Sequence, residues 1–343
     1  MFGRRTPLPV NLYPDGAGLL RLAGMDIFRF QAGRIGGHWN ILQRTRRCCR
    51  LSRHDVLAPS HPIHAHFRPR RLLETSSPPY LGLMPVARLS SRALISVTGQ
   101  DARPFLHNLL TQDVEGLAPG QLRFGALLSP PGRLLFDLFI LGQDDGVLLD
   151  VAADRREALL QRLSMYRLRA AVEIGADDRP VFAAWPDAPD GFLPDPRTPL
   201  LGGRRYGPGT ADATEADYDA HRLSVGVPDP TGDAPQDKTY PIEADFDLLN
   251  GIDFAKGCFV GQETTSRMKR RGTIKNRMMP LTFDGPPPAF GAEVLKGDLR
   301  AGEVLTGRDG VVMALLRLDR LDGDLTVDGR PVHVRRPEWM PDA

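Results

Sequence analysis

The sequence predicts a mixed α+β chain that ends in a small all-β barrel, and three observations carry this. Between Ala93 and Trp185, short apolar runs alternate with two helical patterns. Their connections are too short for parallel crossovers, so the strands are expected to pair antiparallel. After Met279, short strands recur between Gly291, Gly297, Gly302, Gly310, Gly323 and Gly329, a punctuation typical of small barrels.

Taken in order, the run from Ala93 to Thr98 predicts a strand closed by Gly99. Asp101 is placed to cap a helix whose Phe105, Leu106, Leu109 and Leu110 fall on one face. The apolar runs Leu122 to Leu128 and Arg133 to Leu141 flank Ser129-Pro-Pro-Gly132, a turn signal that makes them a hairpin. A strand from Val147 to Val151 follows the Asp144-Asp145-Gly146 turn. Asp154 is placed to cap a helix carrying Leu159, Leu160, Leu163 and Tyr166. Two more strands are expected at Val172 to Ile174 and Val181 to Trp185. Residues 186–236, rich in Pro, Gly and Asp, read as loops and connecting structure. In the barrel, strands are expected at Leu281 to Phe283, Glu293 to Leu295, Glu303 to Leu305, Val311 to Leu318 and Pro331 to Val334.

The chain has 343 residues, 41% hydrophobic and 25% charged, enough for two or three globular domains. That balance excludes a collagen-like, membrane-spanning or wholly disordered chain, and no apolar run approaches a membrane span. Cys48 and Cys49 are adjacent and Cys258 stands alone, so no disulfide framework or CxxC metal pair forms in the body, which points to a reducing compartment. His107, His221 and His333 are scattered singly and carry no catalytic assignment.

Charge is unevenly spread. Residues 1–83 hold 13 Arg and four acids, a net of +9, which leaves −7 for the remainder of a chain whose total is +2. This first segment reads as a basic, low-order extension with three competing explanations. It is a targeting segment, a nucleic-acid-binding arm, or, as favoured here, sequence upstream of a true start at Met84. Because the body is acidic and lacks a nucleic-acid motif, nucleic acid is disfavoured as a partner.

The most informative stretch runs from Asn250 to Gly272. Lys256-Gly257-Cys258 places a thiol beside a flexible turn and two residues from a cation, which favours the thiolate. Gly261 would admit a close backbone approach, and Gln262-Glu263 could open a helix whose amide and carboxylate pair with a heteroaromatic ring. The basic run Arg267 to Arg271 then suits an anionic tail. The bland alternatives stay open: an inert buried cysteine, and a basic run that is a solvated face.

Lys256-Gly-Cys-Phe-Val-Gly-Gln-Glu263 closely resembles the signature of the YgfZ family of folate-binding proteins. These are paralogues of the glycine-cleavage T-protein whose mitochondrial members support iron–sulfur cluster assembly. Leu109-Leu-Thr-Gln-Asp-Val114, Gly132-Arg133 with Asp137, Tyr240-Pro-Ile-Glu243, Asn250-Gly251 and Arg271-Gly-Thr273 fall in the same order as in that family. The resemblance spans about residues 84–340.

It implies a three-lobed fold: two interleaved α+β folate-binding lobes over 84–275 and a C-terminal β-barrel over 276–343. Tetrahydrofolate, or a one-carbon-substituted folate, would bind in the central cleft. Asp137 falls where the aminomethyltransferase relatives carry an Asp that positions the reactive folate nitrogen, and is equally readable as a solvent-facing hairpin residue. Phe136 stands where those enzymes carry a second Asp. Asp137, Gly257, Gly261, Gln262, Glu263 and Arg271 would hold the cofactor, and Lys256 would tune a redox-active or cluster-contacting Cys258. One thiol cannot complete a cluster site that normally takes four ligands, so cluster contact would be transient or shared with an assembly or client protein. The implied function is a folate-dependent accessory factor for iron–sulfur cluster assembly or repair. A one-carbon (aminomethyl) transferase or tRNA-modification protein is the alternative. A cytoplasmic monomer is expected, or a mitochondrial matrix protein if residues 1–83 are a targeting segment.

Overall fold

The computed structural model describes residues 84–272 and 274–341, together with the backbone of three strands nearer the N-terminus. The chain divides into two compact units, Met1–Ser77 and Pro78–Ala343. In the first, β1 (Gly18–Arg21), β2 (Ile27–Gln31) and β3 (Arg34–Ile35) form an antiparallel sheet. Otherwise the extension expected over 1–83, with Cys48 and Cys49, lies outside the described residues.

The second unit opens with β4 (Val86–Arg88) and β5 (Arg92–Thr98), then α1 (Ala102–Leu109). Asp101 sits at the start of α1, but its carboxylate accepts from the Ala171 amide at 2.7 Å instead of capping the helix. The expected hairpin is present as β6 (Leu122–Leu128) and β7 (Leu134–Gln143), followed by β8 (Gly146–Ala152). A 3-10 turn, Ala153–Arg155, leads into α2 (Arg156–Arg167). Asp154 lies exposed in that turn and makes no cap. Next come β9 (Glu173–Asp177) and β10 (Val181–Ala184).

The segment 186–236, expected to be loops, holds β11 (Leu193–Pro194), β12 (Gly203–Tyr206), α3 (Glu215–Val225) and the short α4 (Pro230–Asp233). A capping box starts α3: Thr214 and Asp217 exchange side-chain and backbone hydrogen bonds, satisfying two otherwise orphaned amides. Beyond it lies α5 (Gln262–Arg271). The barrel strands follow: β13 (Asn276–Thr282), β14 (Glu293–Lys296), β15 (Leu299–Arg308), β16 (Val311–Arg317), β17 (Leu325–Val327) and β18 (Arg330–Val334). They close in the order β13-β16-β15-β14-β17-β18, all antiparallel. Only β17 has no counterpart in the expected set.

Two sheets precede the barrel. The first, β6-β7-β8-β5-β9, packs one face on α1 and α2 through Leu106, Leu110, Leu159 and Leu163. Its opposite face meets Phe246, Ile252 and Phe259 at β6 and β7, and at β8 Leu148 packs with Val181 and Ala183 of the second sheet, so β8 is buried along its whole length. The second sheet, β11-β12-β10-β4, takes β4 from ahead of the first sheet in sequence, so the two α+β lobes are interleaved. All the named pairings are antiparallel, as the short connections require.

Candidate functional site

A register shift decides what β7 presents. Leu127 pairs with Phe136 and Leu128 with Leu134, so Leu135 is an extra residue. Beyond it, Phe136, Leu138 and Ile140 point under α1 and α2, while Phe139 points to the other face. Asp137 shares that other face and lines a cavity of about 380 Å³ between the lobes and the barrel. Leu89, Tyr218 and Thr306 contribute to its wall, with four arginines and further acids.

Asp137 is buried, its side chain 5% exposed. Arg92 donates to Oδ2 at 3.0 Å and the Thr231 hydroxyl to Oδ1 at 2.9 Å. Burial pushes its pKa up, but the Arg92 charge and these hydrogen bonds outweigh that and hold it below the ordinary carboxylate value. Behind it runs a buried ionic chain. Asp150 accepts from Arg92 Nε at 2.6 Å, Arg204 at 3.0 Å and the Tyr206 hydroxyl at 3.1 Å. Asp195 binds Arg197 through both carboxylate oxygens, at 3.0 and 2.8 Å, and lies 3.4 Å from Arg204. Arg197 also donates to the Tyr218 hydroxyl at 3.1 Å. The Phe139 ring lies beneath three guanidiniums, those of Arg204, Arg197 and Arg92, at 3.6, 4.9 and 5.6 Å. Three buried cations thus face three buried anions, and guanidinium and aromatic groups together back the cavity.

The residues from Lys256 to Arg271 lie elsewhere. None of Lys256, Gly257, Cys258, Gly261, Gln262, Glu263 and Arg271 lines this cavity. The Lys256 ammonium is turned to the C-terminal end of α1, donating to the carbonyls of His107 and, at 2.7 Å, Leu110. Its burial lowers its pKa to about 8, against the pull of Asp113, Asp253 and Glu115. Cys258 is an exposed free thiol. The Gln262 side chain folds back to accept from the Phe259 amide at 3.2 Å. Glu263 is exposed at the start of α5 and Arg271 at its end, where cations suit the helix dipole. Among the described residues, no three His, Cys, Asp or Glu side chains converge in a metal-ligating cluster.

Gly261 does make a close approach, to the β6–β7 hairpin. Its φ is +81°, and a Cβ there would lie 2.7 Å from the Ser129 carbonyl and 2.8 Å from Gly132 Cα. Gly257 has open space around it and no left-handed φ. Gly261→Ala is therefore expected to lower stability by about 2–4 kcal/mol, from the left-handed backbone and overpacking together. Gly257→Ala should be nearly silent. Urea midpoints of the two variants test this, and equal midpoints would contradict it.

The C-terminal region, residues 275–342, matches the family model for the CAF17 C-terminal β-barrel domain. Over 303 residues the chain is 29% identical to the human mitochondrial iron–sulfur cluster assembly factor IBA57, spanning 74% of this chain and 85% of that one. The mouse protein of the same name is 30% identical over 305 residues, spanning 75% of this chain and 85% of its own. The chain belongs to the IBA57/CAF17 family. A mitochondrial IBA57 homologue from Pyricularia oryzae is 31% identical over 290 residues, covering 71% of this chain and 74% of the relative. The fold is that of the glycine-cleavage aminomethyltransferase T from Bartonella henselae, with a TM-score of 0.62 and 19% identity. That match covers 74% of this chain and 86% of the enzyme.

Sequence reasoning did not find the basic wall of the cavity in this IBA57/CAF17-family chain. Arg197 and Arg204 lie in the stretch expected to be loops, and Arg92 just ahead of the expected strand from Ala93 to Thr98, which in fact begins with it. The one local signal was Asp195-Pro-Arg197, an acid and a base two residues apart.

Proposed function

We propose that this chain is an iron–sulfur cluster assembly or repair factor that holds a reduced folate in the Asp137 cavity and meets cluster or client through Cys258. Its family relatives bear the first half of that role in their names. The observation that carries the second half is the Asp137 carboxylate, fixed on the cavity wall with only two of its acceptor positions used. A pterin ring offers adjacent N–H donors that such a carboxylate can accept, and Phe139 with its guanidiniums supplies a flat apolar and polarisable backing. Bound there, a reduced folate would supply a one-carbon carrier. Asp137 would orient the ring, and the aromatic wall would exclude water from it.

The same hairpin supports a link between cavity and thiol. Asp137 is in β7, and the hairpin tip at Gly132 packs on Gly261, three residues from Cys258. The exposed Cys258 would donate its thiolate to iron of a cluster in transit, releasing a proton, while partner proteins complete the ligand set. This is an accessory role rather than turnover chemistry. It belongs in a reducing compartment, the cytoplasm or the mitochondrial matrix, where an exposed thiol stays free.

Titration of the full chain with tetrahydrofolate, read by Trp fluorescence, tests this. Trp185 packs 5.6 Å from Tyr218 on the cavity wall and is a suitable reporter. Saturable binding is expected, weakened about tenfold or more by Asp137→Asn, the cost of losing a charged hydrogen-bond acceptor. Cys258→Ser should leave folate binding intact and abolish cluster delivery to a client apoprotein. No binding by the folded chain, or binding indifferent to Asp137→Asn, would overturn the folate assignment.

A further inference from the structure

The charges around the cavity restrict what it admits. Every arginine in its wall already has a carboxylate partner. Arg92 pairs with Asp137 and Asp150, Arg197 with Asp195, and Arg204 with Asp150 and Asp195. Arg222 donates to Asp219 at 2.9 and 2.6 Å. Glu215, Asp219 and Asp229 also line the cavity and are only half-buried. The Glu215 carboxylate accepts from the Ser90 amide and hydroxyl, at 3.0 and 2.7 Å, which are neutral donors that leave its charge uncompensated. The Asp219 side chain is 46% exposed.

We infer that the cavity selects the uncharged, hydrogen-bond-donating ring and rejects a polyanionic tail, so that its ligand is a reduced pterin or a monoglutamyl folate and not a polyglutamylated one. This rests on the folate reading above and narrows its substrate class. A tail of several γ-linked carboxylates leaving the cavity would meet Glu215, Asp219 and Asp229, with no guanidinium left to receive it. Asp219 is the specificity-determining residue, because its charge repels the tail and, together with Asp233 3.7 Å from Arg222, keeps that cation engaged.

Three probes separate the possibilities at low salt with the full chain: tetrahydrobiopterin, which lacks a glutamyl tail, monoglutamyl tetrahydrofolate, and a polyglutamylated tetrahydrofolate. In the wild type, the tail carboxylates are expected to cost affinity in proportion to their number, a little for the monoglutamate with its two and several-fold more for the polyglutamate, with the difference shrinking in high salt. Asp229→Asn should restore about two- to threefold for the polyglutamate alone, the Coulomb effect of one rim carboxylate in a near-aqueous dielectric. Asp219→Asn should restore somewhat more, since it also loosens Arg222, which keeps Asp233 at 3.7 Å, and each variant's gain is read against its own tetrahydrobiopterin affinity. A polyglutamate that binds the wild type more tightly than the monoglutamate overturns this inference and leaves the folate reading intact. If none of the probes binds, the folate reading fails and the inference with it.

Discussion

Asp150→Ala should destabilise the folded chain by about 4 kcal/mol, because it leaves two buried guanidiniums sharing too few anions. Asp150 is 1% exposed and is the common partner of Arg92, Arg204 and the Tyr206 hydroxyl. Without it, the buried set of Arg92, Arg197 and Arg204 faces only Asp137 and Asp195, and carries an uncompensated charge. Arg204 would keep only its 3.4 Å contact with Asp195. A loss of this size lowers the melting temperature by roughly 10 °C in a unit of this length. Thermal unfolding followed by circular dichroism gives the number. Removing charge on both sides, in Asp150→Leu with Arg204→Met, should recover part of the loss, since two buried cations then face two anions. Arg92 Nε and the Tyr206 hydroxyl still lack the acceptor that Asp150 gave them. A fall below about 1 kcal/mol in the single variant would mean that water reaches the network and neutralises the cost. The test concerns the cavity too, since the same arginines stack on Phe139 and fix Asp137.

What was legible in the sequence, and what was not, divides along the same line. The five-stranded sheet and most of the barrel follow from apolar runs with turn residues between them. Leu122 to Leu128 and the Ser129-Pro-Pro-Gly132 turn could hardly form anything else. The second lobe escaped because part of its interior is ionic. Arg197, Arg204 and Arg222 are buried, yet any hydropathy pattern assigns them to the surface. The pairing of Arg204 with Asp150 joins residues 54 positions apart, which no local window can see. The α3 helix starts at a Thr214-x-x-Asp217 capping box in a stretch that reads as loop, because its apolar stripe is thin, with Tyr218 and Leu223 interrupted by the buried Arg222. Asp137 was readable as a hairpin residue, and its side was not, because the extra Leu135 resets the alternation. The Cys258 motif was visible as a motif only. Nothing near Lys256 in sequence shows that its ammonium would seek the carbonyls of α1, almost 150 residues earlier.

The joint between the cavity and the barrel should be sensitive to pH through Asp233. This carboxylate, at the end of α4, is wholly buried and accepts from the Asp229 amide at 2.7 Å, and from the amide and hydroxyl of Thr306 in β15. Burial raises its pKa to about 6, opposed by Arg222 and reinforced by Asp229. Its unfolded value lies near 4, so between about pH 4 and 6 the folded state binds the proton more tightly. Stability from this group is therefore full below pH 4 and is lost as pH rises through 6, a total of about 3 kcal/mol for a shift of two units. Asp137 and Asp195 work the other way, since their depressed pKa values give stability that is lost as pH falls below about 4. His221, with its pKa lowered by burial, adds stability as pH rises. A variant isolates the Asp233 contribution from these. The stability of the wild type minus that of Asp233→Asn, from urea titrations, should fall by about 3 kcal/mol between pH 4 and pH 7. A constant difference would mean that Arg222, 3.7 Å away, keeps Asp233 ionised throughout. The expected fall has a structural consequence. α4 offers Thr231 to Asp137 at one position and Asp233 to Thr306 two residues later. Deprotonation of Asp233 thus loads a single helical turn that touches both the cavity wall and the barrel.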